Sequence, residues 1–192
     1  MLNYLILIVG WTIYFFLHSA LASEEIKDQL IKLFKSNPRI YRLFYSLIST
    51  IGLVLLFLFL MTAPSIRLFE TGGWGRYLGM VLATWGVIIM TIAFRKFSMG
   101  EFLGIKKDTS DDQLITSGLH GRIRHPLYSG VILLFAGMFL FIPTDLVAIT
   151  CVIVYLYLPI GIRLEESKLI NKFGQEYREY KKNTPSLIPK LW

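Results

Sequence analysis

Apolar residues in this chain run in long blocks, and polar residues are confined to the segments between them. Leu2–Ala22 is the first block, and residues 41–63, 77–94, 126–142 and 146–162 follow. About 20 residues of helix cross the hydrocarbon layer of a bilayer, so the pattern predicts five membrane spans, the fourth of them short. The first block ends in Ala20-Leu21-Ala22-Ser23, which has the form of a signal-peptidase site. No Lys or Arg precedes the block, however, and it carries Trp11, Tyr14, Phe15, Phe16 and His18, which favours a retained helix.

The segments between the blocks have their own patterns. In residues 23–37, Ile26, Leu30, Leu33 and Phe34 recur at helical spacing among Lys27, Lys32 and Lys35. Ser23 can cap this helix, with Glu24 and Glu25 in its first turn. It reads as a helix lying in the membrane interface, ended by Asn37-Pro38. Gly72-Gly73 marks a short loop over 65–76. Residues 95–125 form the longest polar stretch, and 106–113, its most hydrophilic run, reads as a surface loop. Pro143-Thr144-Asp145 turns the chain, with Thr144 a cap, so the fourth and fifth spans form a tight hairpin. Pro159 predicts a kink near the end of the fifth span. Residues 163–192 form an amphipathic tail, in which Gly174 can end one helix before another starts.

The expected fold is therefore all-α. It is a polytopic membrane protein with five transmembrane helices, an interfacial amphipathic helix after the first and a cytoplasmic amphipathic helix at the C-terminus. One domain covers 1–192, with three spans in 1–94 and the remaining two in 95–192.

Charge sets the expected orientation. Five spans place polar segments alternately on two sides. One side receives 18 Lys and Arg, from the first and third loops and the tail; the other receives only Arg67 and Arg76. The basic side is cytoplasmic, which leaves the N-terminus outside. The net charge of +7 needs no nucleic-acid partner, because basic cytoplasmic loops account for it. At 54% hydrophobic, the chain is richer in apolar residues than a soluble domain of this size. Its single cysteine, Cys151, lies within an apolar run, which excludes an intrachain disulfide and a multi-cysteine metal site.

The densest chemistry lies at the foot of the fourth span, in Gly118-Leu119-His120-Gly121-Arg122-Ile123-Arg124-His125-Pro126-Leu127-Tyr128-Ser129-Gly130. Pro126 suits the first helical position, and His125 before it is biased away from helical angles. The helix start can bind an anion such as a carboxylate. Arg124 can grip a carboxylate in a fork, and His125 and Tyr128 can hydrogen-bond or stack on a flat ring. Gly130 and Gly137 leave a bare stripe for a neighbouring helix or a ligand. The alternative is an interfacial anchor, since Arg, His and Tyr favour headgroup depth. In the tail, Arg163, Glu166, Ile170, Phe173, Tyr177 and Tyr180 share a helical face, with Glu165 and Leu169 beside it. The hairpin lets Glu165 and Glu166 approach Arg124 and His125; the alternative is a solvated cap on a membrane helix. His18 is a polar residue inside a span, either serving the site or reaching the interface beside Ser19.

Arg124-His125-Pro126-Leu127-Tyr128-Ser129-Gly130, Glu165-Glu166 and Phe173-Gly174-Gln175-Glu176-Tyr177-Arg178-Glu179-Tyr180 together resemble the signature of the isoprenylcysteine carboxyl methyltransferase superfamily. That superfamily of integral-membrane enzymes also includes phospholipid N-methyltransferases. His18-Ser19-Ala20-Leu21-Ala22-Ser23 with Lys27 is similar to the N-terminal pattern of methanethiol S-methyltransferases and related denitrification-associated membrane proteins. Phe102-Leu103-Gly104-Ile105 and the ending Gly161-Ile162-Arg163-Leu164-Glu165-Glu166 with Pro185-Ser186-Leu187-Ile188-Pro189 also resemble the thiol-methyltransferase pattern.

The resemblance implies S-adenosylmethionine as cofactor, held by Leu114, Ile115, His120, His125, Pro126, Leu127, Tyr128 and Glu165. The family usually has Tyr where this chain has His120. The isoprenylcysteine enzymes place a substrate arginine four residues before the first Glu, where this chain has Gly161; the nearest arginine is Arg163. The candidate catalytic residues are Arg163, Glu166, His18 and Arg124, with no metal. The implied acceptor is small and apolar or lipid-soluble: a thiol first, then a phospholipid amine, then a prenylcysteine carboxylate. The implied setting is a bacterial or archaeal cytoplasmic membrane, with the cofactor site on its cytoplasmic side. The reading of a different class is a non-catalytic transport or sensing protein on the same fold. The oligomeric state stays open.

Overall fold

A computed structural model describes residues 1–95 and 113–189. The Phe102-Leu103-Gly104-Ile105 motif, the hydrophilic run except for Gln113, and Lys96 and Lys190 from the charge count lie outside the described residues. The described chain is all-helical: α1 (Leu2–Ala22), α2 (Glu24–Leu33), α3 (Pro38–Thr62), α4 (Gly73–Phe94), a 3₁₀ turn (Gly118–Gly121), α5 (Pro126–Phe141), α6 (Asp145–Phe173) and α7 (Gln175–Asn183). Four of these, α1, α3, α4 and α6, are long and apolar enough to cross a membrane. This is an integral membrane protein. With 16 residues, α5 measures about 24 Å, short of the roughly 30 Å hydrocarbon layer.

Capping residues set several boundaries. Ser23 Oγ accepts from Ile26 N at 3.4 Å and starts α2, with Glu24 and Glu25 in the first turn. Asn37 Oδ1 accepts from Arg39 N at 2.9 Å and Pro38 takes the first position of α3; α2 has already ended at Leu33, with Phe34 as its C-cap, so the pair expected to close α2 instead opens α3. Thr144 Oγ1 accepts from Val147 N at 3.4 Å and opens α6. Pro159 stands inside α6 without ending it. That helix runs for 29 residues, about 43 Å, so its charged turns from Arg163 onward extend past the part that spans. Gly174, at φ +57°, separates α6 from α7, a conformation that favours glycine.

The chain divides into two compact units. The described part of the first, Met1–Ile66, pairs α1 with α3 and sets α2 beside both. Leu7 and Trp11 are its most buried side chains; the Trp11 ring stacks on Phe15 at 5.2 Å and meets Phe57 edge-on at 6.4 Å. The second unit comprises the described parts of Arg67–Phe97 and Ser110–Trp192. Its tightest packing is α4 against α5, where Gly79 faces Gly137 and Gly86 faces Gly130. A Cβ on Gly86 would lie 2.6 Å from Gly130 O, so the backbones touch where a side chain would hold them apart. The bare stripe on the fourth span thus receives the third. A short turn still joins α5 to α6, and Leu68 N donating to Pro143 O at 2.8 Å pins the loop before α4 to that turn.

Candidate active site

The site lies in the second unit, where the start of α5, the charged end of α6, α7 and residues 184–187 meet. Pro126 occupies the first position of α5, with His125 as its N-cap. Two backbone donors at this start are already used: Arg124 N donates to Pro185 O at 2.9 Å and His125 N to Ser186 O at 3.0 Å. Ser129 Oγ donates to Leu187 O at 2.7 Å. A strap from the end of the chain thus runs along the start of α5. The anion site expected there is correspondingly narrower than the sequence suggests.

Glu166 is the centre of the polar network, and only 6% of its surface is exposed. Its Oε1 accepts from Arg124 Nε at 2.9 Å and lies 2.8 Å from Arg124 Nη2. His125 Nε2 lies 3.1 Å from the same oxygen. On the other side, Lys181 Nζ is 2.5 Å from Oε2. Burial acting alone would raise the Glu166 carboxyl. The hydrogen bonds from Lys181, His125 and Arg124, with the Arg124 charge, outweigh burial and hold it at about 2. Arg124 also donates from Nη1 to Lys181 O at 2.9 Å and to Thr184 O. The carboxylate gripped by the Arg124 fork is therefore the protein's own.

His125 is almost fully buried beside the two glutamates; its Nδ1 lies 3.5 Å from Glu165 Oε2 and makes no hydrogen bond there. The Glu165 side chain is 47% exposed, so its carboxylate faces outward with capacity to spare. The Tyr128 ring meets His125 edge-on at 5.6 Å. A Cβ on Gly161 would lie 3.2 Å from the Tyr128 hydroxyl, so the bare turn of α6 makes room for that ring. His120 is buried in the 3₁₀ turn, and its carbonyl accepts from Tyr180 Oη at 2.5 Å. Burial, opposed by the Arg124 charge, pushes the Tyr180 phenol up to about 12, which keeps it a donor.

The structure thus brings together Arg124, His125, Pro126, Tyr128, Glu165 and Glu166, with His120 tied in through Tyr180. Leu127 is half-buried in the first turn of α5. Leu114 and Ile115 are half-buried in the irregular segment ahead of the 3₁₀ turn. Arg163 is exposed on α6. His18 belongs to the first unit, where its Nδ1 lies 3.2 Å from both Ser49 Oγ and Tyr45 Oη and its ring stacks on Tyr14 at 5.8 Å. It borders a cleft of about 310 Å³ between α1 and α3, lined by Gly10, Ile13, Leu17 and Gly52 among others. Sequence reasoning missed Lys181 and the strap. Both signals were present: Lys181 directly follows Tyr180 in the basic tail, and Pro185 and Pro189 bracket an extended segment.

A family model described as NnrU protein matches residues 6–186. This chain belongs to the NnrU family. Among curated relatives, Methanethiol S-methyltransferase 1 of Bradyrhizobium diazoefficiens is 31% identical over 188 residues, which cover 90% of this chain and 62% of the relative. Methanethiol S-methyltransferase of Pseudomonas deceptionensis is 30% identical over 91% of this chain and 68% of its own length. Protein-S-isoprenylcysteine O-methyltransferase of Schizosaccharomyces pombe is 33% identical over a shorter stretch, 43% of this chain and 36% of that protein. The chain spans less than two thirds of the Bradyrhizobium relative, and slightly more than two thirds of the Pseudomonas one. No solved structure matches.

Proposed function

We propose that this chain is an integral-membrane methyltransferase that uses S-adenosylmethionine and methylates a small, apolar thiol. Family membership and the named relatives support the activity. The observation in the structure that carries the reading is the buried His125, set beside a locked carboxylate, Glu166, and an outward-facing one, Glu165.

The residues fit the cationic end of such a cofactor. Glu165 offers an exposed carboxylate to an ammonium group, while Tyr128 and His120 present flat rings. The Arg124 fork is already filled by Glu166, so Arg124 serves to position rather than to bind the cofactor carboxylate. In this reading Leu114, Ile115, Pro126 and Leu127 complete the wall of the cofactor site. When bound, the cofactor supplies an activated methyl group on a sulfonium. The protein aligns donor and acceptor and excludes water.

A thiol reacts as its thiolate, so a proton must leave it. Glu166, held at about 2 by Lys181, His125 and Arg124 against the effect of burial, is a poor proton acceptor near neutral pH. Within the second unit the role falls to His120, with Arg163 on the acceptor side. A prenylcysteine carboxylate is disfavoured by Gly161, since a side chain there would press on Tyr128. The finer architecture belongs to the same reading. One domain over 1–192 has five spans, with α5 the short fourth, α2 in the interface, the N-terminus outside, and α7 and the site cytoplasmic in a bacterial or archaeal membrane.

Calorimetry of the purified, folded protein with S-adenosylmethionine tests the reading, followed by labelled methyl transfer to short alkanethiols. Cofactor binding with thioether formation is expected. A folded protein that binds no cofactor overturns the proposal.

A further inference from the structure

We propose that Lys181 is a positioning residue for the cofactor site: by clamping Glu166 from the side opposite Arg124, it fixes the carboxylate that orients His125. This rests on the reading of His125 as part of the cofactor wall.

A buried carboxylate needs its charge answered and its oxygens fixed. Oε1 of Glu166 serves Arg124 and His125 together. Oε2 is held by Lys181 Nζ at 2.5 Å. The last torsion of a glutamate is broad and roughly two-fold, so an oxygen held on one side alone leaves the group free to swing. Such a swing would carry Oε1 away from His125 Nε2. The Lys181 backbone contributes separately, since its carbonyl accepts from Arg124 Nη1. A side-chain substitution therefore removes the ammonium and leaves that backbone contact in place. The Lys181 side chain is 45% exposed and lies on α7, whereas Glu166 lies on α6. It thus tolerates exchange better than a core residue.

The groups facing Glu166 and His125 are Arg124 from the start of α5, Glu165 from α6, and Lys181 and Tyr177 from α7. Among the contacts that lower the Glu166 carboxyl against burial, the Lys181 hydrogen bond is the largest. Without it the carboxylate takes up a proton at a higher pH and is fixed from one side only. Lys181→Met should therefore leave the Glu166 carboxylate free to swing and loosen its hold on His125.

The test uses the full-length protein in detergent with isotope-labelled histidine. The chain has only three histidines, so His125 can be assigned by its loss in His125→Asn. At neutral pH, the ring-nitrogen signals of His125 in Lys181→Met and Lys181→Gln should differ from those of the native protein. The dissociation constant for S-adenosylmethionine should weaken about tenfold at neutral pH in both variants. Lys181→Arg should restore both. Unchanged His125 signals and unchanged cofactor affinity in the folded variants would overturn the assignment. A native protein that binds no cofactor counts against the proposed function instead, and the histidine signals then decide the positioning role by themselves.

Discussion

Arg124 and Glu166 stand 42 residues apart in the sequence, yet Nε and Nη2 of the arginine both reach one oxygen of the glutamate, at 2.9 and 2.8 Å. Both side chains are about nine-tenths buried. Removing one partner strands the other charge, which typically costs 3–5 kcal/mol. Lys181 and His125 still face Glu166, so Arg124→Met should cost about 3 kcal/mol, the lower end of that range. The double variant Arg124→Met with Glu166→Met should be more stable than Arg124→Met alone. Thermal unfolding in one detergent across the four combinations measures the coupling.

The same pair sets a pH dependence. Glu166 is held at about 2, below the usual carboxylate value of 4.5, because three donors and the Arg124 charge outweigh its burial. A depressed folded-state value stabilises the fold above the unfolded value and loses that contribution as pH falls through the folded one. The native advantage over Glu166→Gln should therefore be constant from neutral pH down to about 5 and shrink between about 4.5 and 2. A difference that grows on acidification would reverse the sign and contradict the assignment.

The close approach of α4 and α5 makes a steric prediction. A Cβ on Gly86 meets Gly130 O at 2.6 Å and Leu134 N at 2.7 Å, both of them backbone atoms that cannot rotate away. Gly86→Ala should cost about 1–3 kcal/mol through overpacking. A Cβ on Gly72 has nothing within 4 Å, and its backbone is extended, so Gly72→Ala should be near neutral. Unfolding midpoints of the two variants side by side make the comparison.

Gly174 is a different case. Its surroundings are open, but its φ of +57° is strained for any residue with a Cβ. Gly174→Ala should cost about 1–2 kcal/mol and loosen the placement of α7, on which Lys181 sits. Activity should fall further than stability alone explains, which a comparison of kcat with unfolding midpoint detects.

Much of the fold could be read from hydropathy because a bilayer demands long apolar helices of fixed length. The first helix has the expected bounds, and Ser23, Thr144 and Gly174 act where capping chemistry places them. Asn37 and Pro38 read in the sequence as a helix end, but α2 stops earlier, at Leu33, and the pair starts α3, because an Asn cap before a Pro suits a helix start. The approach of Glu165 and Glu166 to Arg124 and His125 followed from joining two helices by a short turn. The partner of the bare stripe did not. Gly79, Gly86, Gly130 and Gly137 show that close contact is possible without saying which helices make it. The Arg124 fork was legible as chemistry, but its occupant was not, since a sequence does not distinguish a ligand carboxylate from Glu166. Lys181 looked like one of many tail cations until α7 folded back along α6.

The central claim is that His125 and Glu165 hold a methyl donor for transfer to a thiol. It is tested most directly by measuring S-adenosylmethionine affinity and alkanethiol methylation in the native protein, His125→Ala and Glu165→Ala, with membrane insertion and folding verified for each. The native protein should bind the cofactor and form the thioether, while both variants remain folded in the membrane and lose cofactor binding. Native-like binding in both variants would contradict the account.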